Sequence, residues 1–278
     1  MEVLRIVWWL LTGAWLAAFA VLAPRSALPP TGTAMPAATP LWLALGGAAI
    51  VAVWPPLFEN AAGAVAIVMV AWSLMLHRVG YASGIVPAFV LGVMVGALFT
   101  GSLLSPFALL VGLTSLAMFA LIAAAWSNAN RALPIAAAAY AVLFAGCGFW
   151  LVELDGARLT GIADPNAPSN PLLKTVAIVP GAWLANANAH PALYLLPVIA
   201  IFAAWRTAAD RARPGRALLW STLVPPFTIA SAGSALFPFL TPSLTIWDAS
   251  SSRLVLAIAL GATVVILPAV IVLTRKKG

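Results

Sequence analysis

Polar residues are so sparse along this chain that its pattern is one of long apolar runs broken by short polar punctuation. The runs lie near residues 3–23, 41–58, 61–76, 84–104, 106–126, 132–152, 191–205, 217–240 and 254–274. Each approaches the ~20 residues an α-helix needs to cross the hydrocarbon of a bilayer. A helix satisfies its backbone hydrogen bonds internally, as lipid requires, and the alternating polarity of barrel strands is missing. The pattern predicts an all-α integral membrane protein of about nine transmembrane helices, folded as a single polytopic domain over 1–278. One connection is long. Residues 153–190 hold the most polar sequence, ELDGARLTGIADPNAPSN, and then an apolar stretch around Trp183.

Composition agrees with this reading: 63% of the 278 residues are hydrophobic and 8% are charged. A soluble domain keeps roughly 25% charged residues to solvate its surface. The first run carries Ala18-Phe19-Ala20, which resembles a small-residue cleavage site. It is longer than the apolar core of a secretion signal and holds Trp8, Trp9 and Trp15, so it is expected to be a retained first helix.

Charge adds orientation. The net charge is +7, yet the basic residues sit in short loops, which points to topology and not to nucleic acid. With nine spans, one side gathers Arg25, Arg78, Arg131, Arg206, Arg211, Arg213, Arg216, Arg275, Lys276 and Lys277. The other holds Arg5, Arg158, Lys174 and Arg253, while Asp210 is the one acid on the basic side. The positive-inside rule then places the N-terminus outside and the C-terminus in the cytoplasm. Tryptophans such as Trp126, Trp150, Trp205 and Trp220 fall near run ends, where indoles favour the interface.

Candidate chemistry is thin. Two histidines, His77 and His190, are expected on opposite faces, roughly 30 Å of hydrocarbon apart, so they cannot ligate one haem together. Each reads as an interfacial polar residue. No acid or histidine falls at mid-membrane depth, where proton or ion pathways need one. Prolines such as Pro197, Pro225, Pro226 and Pro238 would suit the broken helices of a transporter, but proline is common in membrane helices. Cys147 stands alone, which excludes a disulfide framework and suggests a small buried apolar residue. Gly92 and Gly96 form a GxxxG spacing that would admit a close helix neighbour, although glycine is frequent in such helices. Before the last run, Trp247, Asp248 and Ser250 sit where Ser or Asp caps a helix and complements its dipole.

Three stretches carry a family resemblance. EVLRIVWWLLTGAWLAAFAV at Glu2–Val21, NPLLKTVAIVPGAWLANANAHP at Asn170–Pro191 and FPFLTPSLTIWDASSSRLVL at Phe237–Leu256 resemble subunit II of the cytochrome bd-type quinol oxidases. A weaker likeness runs through Gly46–Gly63. The resemblance implies nine helices in the orientation the charges give, in a bacterial or archaeal cytoplasmic membrane. It implies a haem-bearing subunit I as partner, small accessory single-span subunits, quinol as the substrate of the complex, and surrounding lipid. Haems b and d would belong to the partner; this chain would bind no haem, though a structural quinone or lipid is compatible with it. Trp183, His190, Trp247, Asp248, Ser250, Gly92 and Gly96 are then structural or interface residues, not catalytic ones. The chain departs from the family where Leu22–Pro30 lacks its acidic, glycine-rich motif and where Leu41-Trp42-Leu43 is all that remains of a polar one. It is also shorter, with the loss expected between the first and second and the third and fourth spans. No residue of a proton path carries over. A transporter or channel on a related scaffold, and a non-catalytic assembly protein, remain the alternative readings.

Overall fold

The structure is a computed structural model that describes residues 85–162, 174–241 and 244–245. The first helix, α1, spans Ile85–Thr100, and α2 spans Pro106–Trp126. Between them Gly101 adopts φ +70 and its N–H bonds to the Ala97 carbonyl, a left-handed cap that glycine adopts without strain. Ser105 then caps α2 by accepting the Ala108 N–H at 3.1 Å, with Pro106 at the first helical position, where its missing N–H costs nothing. At the far end Asn128 takes φ 55 and turns the chain into α3, Ala132–Trp150.

The described residues of the long 153–190 connection carry regular structure. They contain an antiparallel hairpin of β1, Asp155–Ile162, and β2, Lys174–Pro180, with Asp155 opposite Pro180 and a bulge between Leu159 and Gly161. A short 3-10 turn at Ala182–Leu184 and the helix α4, Ala185–Ala189, come next. The all-α expectation is corrected accordingly: the fold is mostly helical with a β cap. Outside the hydrocarbon a connection need not be helical, and Lys174–Pro180 (KTVAIVP) is rich in the β-branched residues that favour strands.

A second 3-10 turn, Pro191–Tyr194, leads into α5, Leu195–Ala209. The final described helix, α6, spans Pro214–Leu236, starting on a proline and stopping just before Pro238, since a residue preceding proline is driven out of helical geometry. Inside it Pro225 and Pro226 leave the helix continuous, so they do not break it in the manner of a transporter's discontinuous helix. Ser221 and Thr222, four residues earlier on the chain, turn their hydroxyls back to the Leu218 and Leu219 carbonyls. Two short strands, β3 (Phe239–Thr241) and β4 (Leu244–Thr245), close the described region.

Helices α2, α3, α5 and α6 form a closed ring, each packed on the next, with α6 returning to α2, and α1 lies along α2. The core is small-residue packing: Ala117, Ala124, Ala125, Ala137, Ala203 and Ala204 let the helices approach around Leu121, Ile122, Leu133, Tyr140 and Val224. Close approach matters because lipid supplies no hydrophobic drive between helices, so dispersion and interhelical hydrogen bonds hold them. One such bond crosses the ring: Tyr140 and Thr228 oxygens are 2.5 Å apart. Because Thr228 donates its own proton to the Val224 carbonyl, the tyrosine hydroxyl is the donor. The outer faces of α3 and α5 are apolar and open, as at Ile135, Val142, Phe149 and Val198. Among the described helices, α2, α3 and the segment Pro191–Ala209 are long and apolar enough to cross a membrane.

Candidate functional site

The ring has two unlike ends. At one, the hairpin folds over the helix termini; at the other lie Arg131, Arg206, Asp210, Arg211, Arg213 and Arg216 in the α2–α3 and α5–α6 turns and the residues flanking them.

The hairpin end is organised by Trp183, which is 1% exposed. Its indole meets Phe99 of α1 edge-on at 5.5 Å and Phe239 of β3 at 6.2 Å, and Phe99 in turn meets Phe107 of α2 at 5.6 Å. Leu236, Cys147 and Ala157 complete the cluster. The indole N–H donates to the Asp155 carbonyl at 3.2 Å, so the ring is tied to β1 by a hydrogen bond and to α1 and β3 by packing. Gly156 is required beneath it, because a Cβ there would stand 2.9 Å from the Trp183 backbone nitrogen. Gly181, at φ +70, returns β2 toward Trp183 and donates its N–H to the Leu154 carbonyl.

Asn186 holds a helix end, a role its sequence context does not announce. Its side-chain amide donates to the Ser234 carbonyl at 2.9 Å and also to the Phe237 carbonyl, two acceptors at the C-terminus of α6 that the helix itself cannot satisfy. The signal available was a polar residue in the run ANANAHP, next to an apolar helix start. Asn186→Ala should cost about 1–3 kcal/mol, the usual penalty for stranding part-buried polar groups. Faster hydrogen exchange confined to the last turn of α6 checks it. Asn186→Asp should be worse, since a carboxylate would face two carbonyl oxygens.

His190 lies exposed four residues beyond Asn186, its N–H bonded to the Asn186 carbonyl, at the start of the turn that enters α5. Tyr194 nearby donates to the Asn188 side chain at 2.7 Å. The structure therefore brings Trp183 into the cap and leaves the His190 side chain on its surface. Gly92 and Gly96 sit elsewhere, on the seam of α1 with α2. A Cβ on Gly92 would stand 2.5 Å from the Ser115 Cβ, and one on Gly96 2.5 Å from the Ala108 Cα. Gly112 of α2 answers from the opposite side, against Val93 and Phe89. Trp247, Asp248, Ser250 and His77 lie outside the described residues.

For cofactor chemistry the donors are few and apart. Among the described residues no three His, Cys, Asp or Glu side chains gather as a metal-binding group, and their one histidine, His190, is exposed. Cys147 is buried and within 3.4 Å of the Thr114 hydroxyl, which donates to the Leu110 carbonyl. These described residues, one exposed histidine and one buried thiol, do not fit a haem held between helices.

A mostly helical bundle with apolar outer faces and a folded β cap defines a membrane-embedded protein. Residues 69–275 match the family model described as cytochrome bd terminal oxidase subunit II. The chain is 31% identical to a probable cytochrome oxidase subunit 2 of Haemophilus influenzae, covering 93% of this chain and 89% of that one. It is 28% identical to a cytochrome bd-I ubiquinol oxidase subunit 2 of Escherichia coli, covering 98% and 93%. This chain belongs to the cytochrome bd terminal oxidase subunit II family.

Proposed function

We propose that this chain is the haem-free subunit II of a bd-type oxidase that oxidises quinol and reduces dioxygen, and that it packs against and stabilises the haem-bearing subunit I. The observation that carries this reading is similarity to oxidase second subunits over nearly the whole chain. Support comes from the described core, in which alanine, leucine and other apolar side chains pack around Tyr140. The basic end of the bundle suits the cytoplasmic face, which puts the hairpin outside, in a nine-helix protein of the bacterial cytoplasmic membrane.

The test is purification of the complex by a tag on this chain. A co-purifying haem protein with bd-type absorption and quinol-driven oxygen uptake is expected; a stable haem-free homo-oligomer would overturn the reading. Within such a complex, Asp248→Ala is expected to lower the yield of assembled oxidase while turnover per haem stays the same. Normal assembly with collapsed turnover would reassign Asp248 to the chemistry.

A further inference from the structure

The α5–α6 corner carries more positive charge than orientation alone needs, and the charge is sorted. Arg206 is spent internally. Its guanidinium pairs with Asp210 at 2.8 Å and lies 5.6 and 5.7 Å from the ring centres of Trp205 and Trp220. Asp210 is 9% exposed and also accepts the Trp220 indole N–H at 3.1 Å, so the acid is committed too. Phe202 meets Trp220 edge-on at 5.7 Å and fixes the ring. This clasp neutralises itself. Arg211, Arg213 and Arg216 are exposed, and among the described residues none is paired with a carboxylate.

An apolar surface begins where those arginines end. Arg216 precedes Leu219 and Trp220 by three and four residues, so they share a face of α6. Leu219 is 61% exposed, and across the corner Trp205 is 57% and Phe202 46% exposed. Three guanidinium groups with no carboxylate partner among the described residues thus cap a strip of exposed aliphatic and aromatic surface one helical turn away. Charge complementarity asks for an anion, and the adjoining strip asks for that anion to carry a hydrocarbon chain.

We propose that the α5–α6 corner binds an anionic phospholipid, its phosphate held by Arg211, Arg213 and Arg216 and an acyl chain lying against Leu219, Trp220 and Phe202. Guanidinium forks match phosphate oxygens in pairs, and Asp210, paired with Arg206, ties the end of α5 to α6 by accepting the Trp220 indole N–H.

The test uses the full chain with any subunit that co-purifies, exchanged into bilayer discs of equal phosphatidylcholine and phosphatidylglycerol. Because both leaflets are alike, the outcome does not depend on orientation. Lipid retained by the protein is counted by native mass spectrometry. Arg211→Gln, Arg213→Gln and Arg216→Gln are each expected to lower the retained phosphatidylglycerol-to-phosphatidylcholine ratio about fivefold, the effect of one basic residue near a charged headgroup. Arg131→Gln, at the same end of the bundle but in the other turn, is expected to leave the ratio unchanged. Leu219→Asn should lower retention of both lipids. An equal loss with Arg131→Gln would overturn the site in favour of diffuse attraction. Displacement of phosphatidylglycerol by inorganic phosphate would overturn it in favour of a free-anion site. An unchanged ratio accompanied by release of a partner subunit would assign the arginines to an acidic protein surface instead.

Discussion

Gly96→Ala, the addition of one methyl group, is expected to destabilise the protein by about 2 kcal/mol or more, toward the upper part of the range for overpacking a filled interior. The added carbon would stand 2.5 Å from the Ala108 Cα, so what must yield is the backbone of α2 and not a flexible side-chain tip. Gly92 is equally confined, by Ser115 Cβ at 2.5 Å and the Val111 carbonyl oxygen at 2.7 Å. The two glycines lie a little over one turn apart, so the helices must separate along the seam. In lipid nothing compensates, because packing is itself the attraction between helices. A control sits in the same bundle: Gly148 of α3 faces open space, with nothing within 4 Å of an added Cβ. Gly148→Ala should be neutral or stabilising by up to about 1 kcal/mol through helix propensity. Thermal unfolding in one detergent compares the pair, and equal shifts for both variants would show that the α1–α2 seam is not close-packed.

Trp183→Ala should have the largest effect at the hairpin end, about 3–5 kcal/mol as for other buried Trp or Phe truncations. The side chain touches α1, β1 and β3 at once, so its loss leaves a cavity that no single neighbour can fill. Trp183→Phe separates the contributions: it keeps ring contacts but loses the indole N–H to Asp155, worth about 1 kcal/mol. Hydrogen exchange read along β1 and β2 should accelerate strongly in the alanine variant and weakly in the phenylalanine one, while the core of α2 stays protected. Unchanged exchange in the strands would mean that the hairpin is held by something other than Trp183.

What the residue pattern could express was the helices, because an apolar run bounded by Ser105-Pro106 or by Pro214 carries both its length and its stop signals. Two kinds of information were not local enough to read. The hairpin strands are separated by eleven residues, with no two-residue turn signal such as Asn-Gly to announce the pairing, and their apolar face is completed by a tryptophan that comes after them. The helix-end bonds of Asn186 join positions 48 and 51 residues apart, so the side chain looks idle in sequence. Gly92 and Gly96 were visible as a spacing, whereas the partner surface at Ala108 and Ser115 came only with the folded seam.

The ring of α2, α3, α5 and α6 has a consequence for how the protein is made. Three of its four seams join ring helices that follow one another along the chain, so each can form once its second helix has been synthesised. The fourth seam, α6 against α2, and the Tyr140–Thr228 bond spanning 88 residues exist only after α6 has been synthesised. Until then the tyrosine hydroxyl lacks its acceptor and the small-residue face of α2 is open to whatever lies beside it. The last described helix therefore closes the ring, and a chain ending before Pro214 would lack both the α6–α2 seam and the acceptor of the Tyr140 hydroxyl.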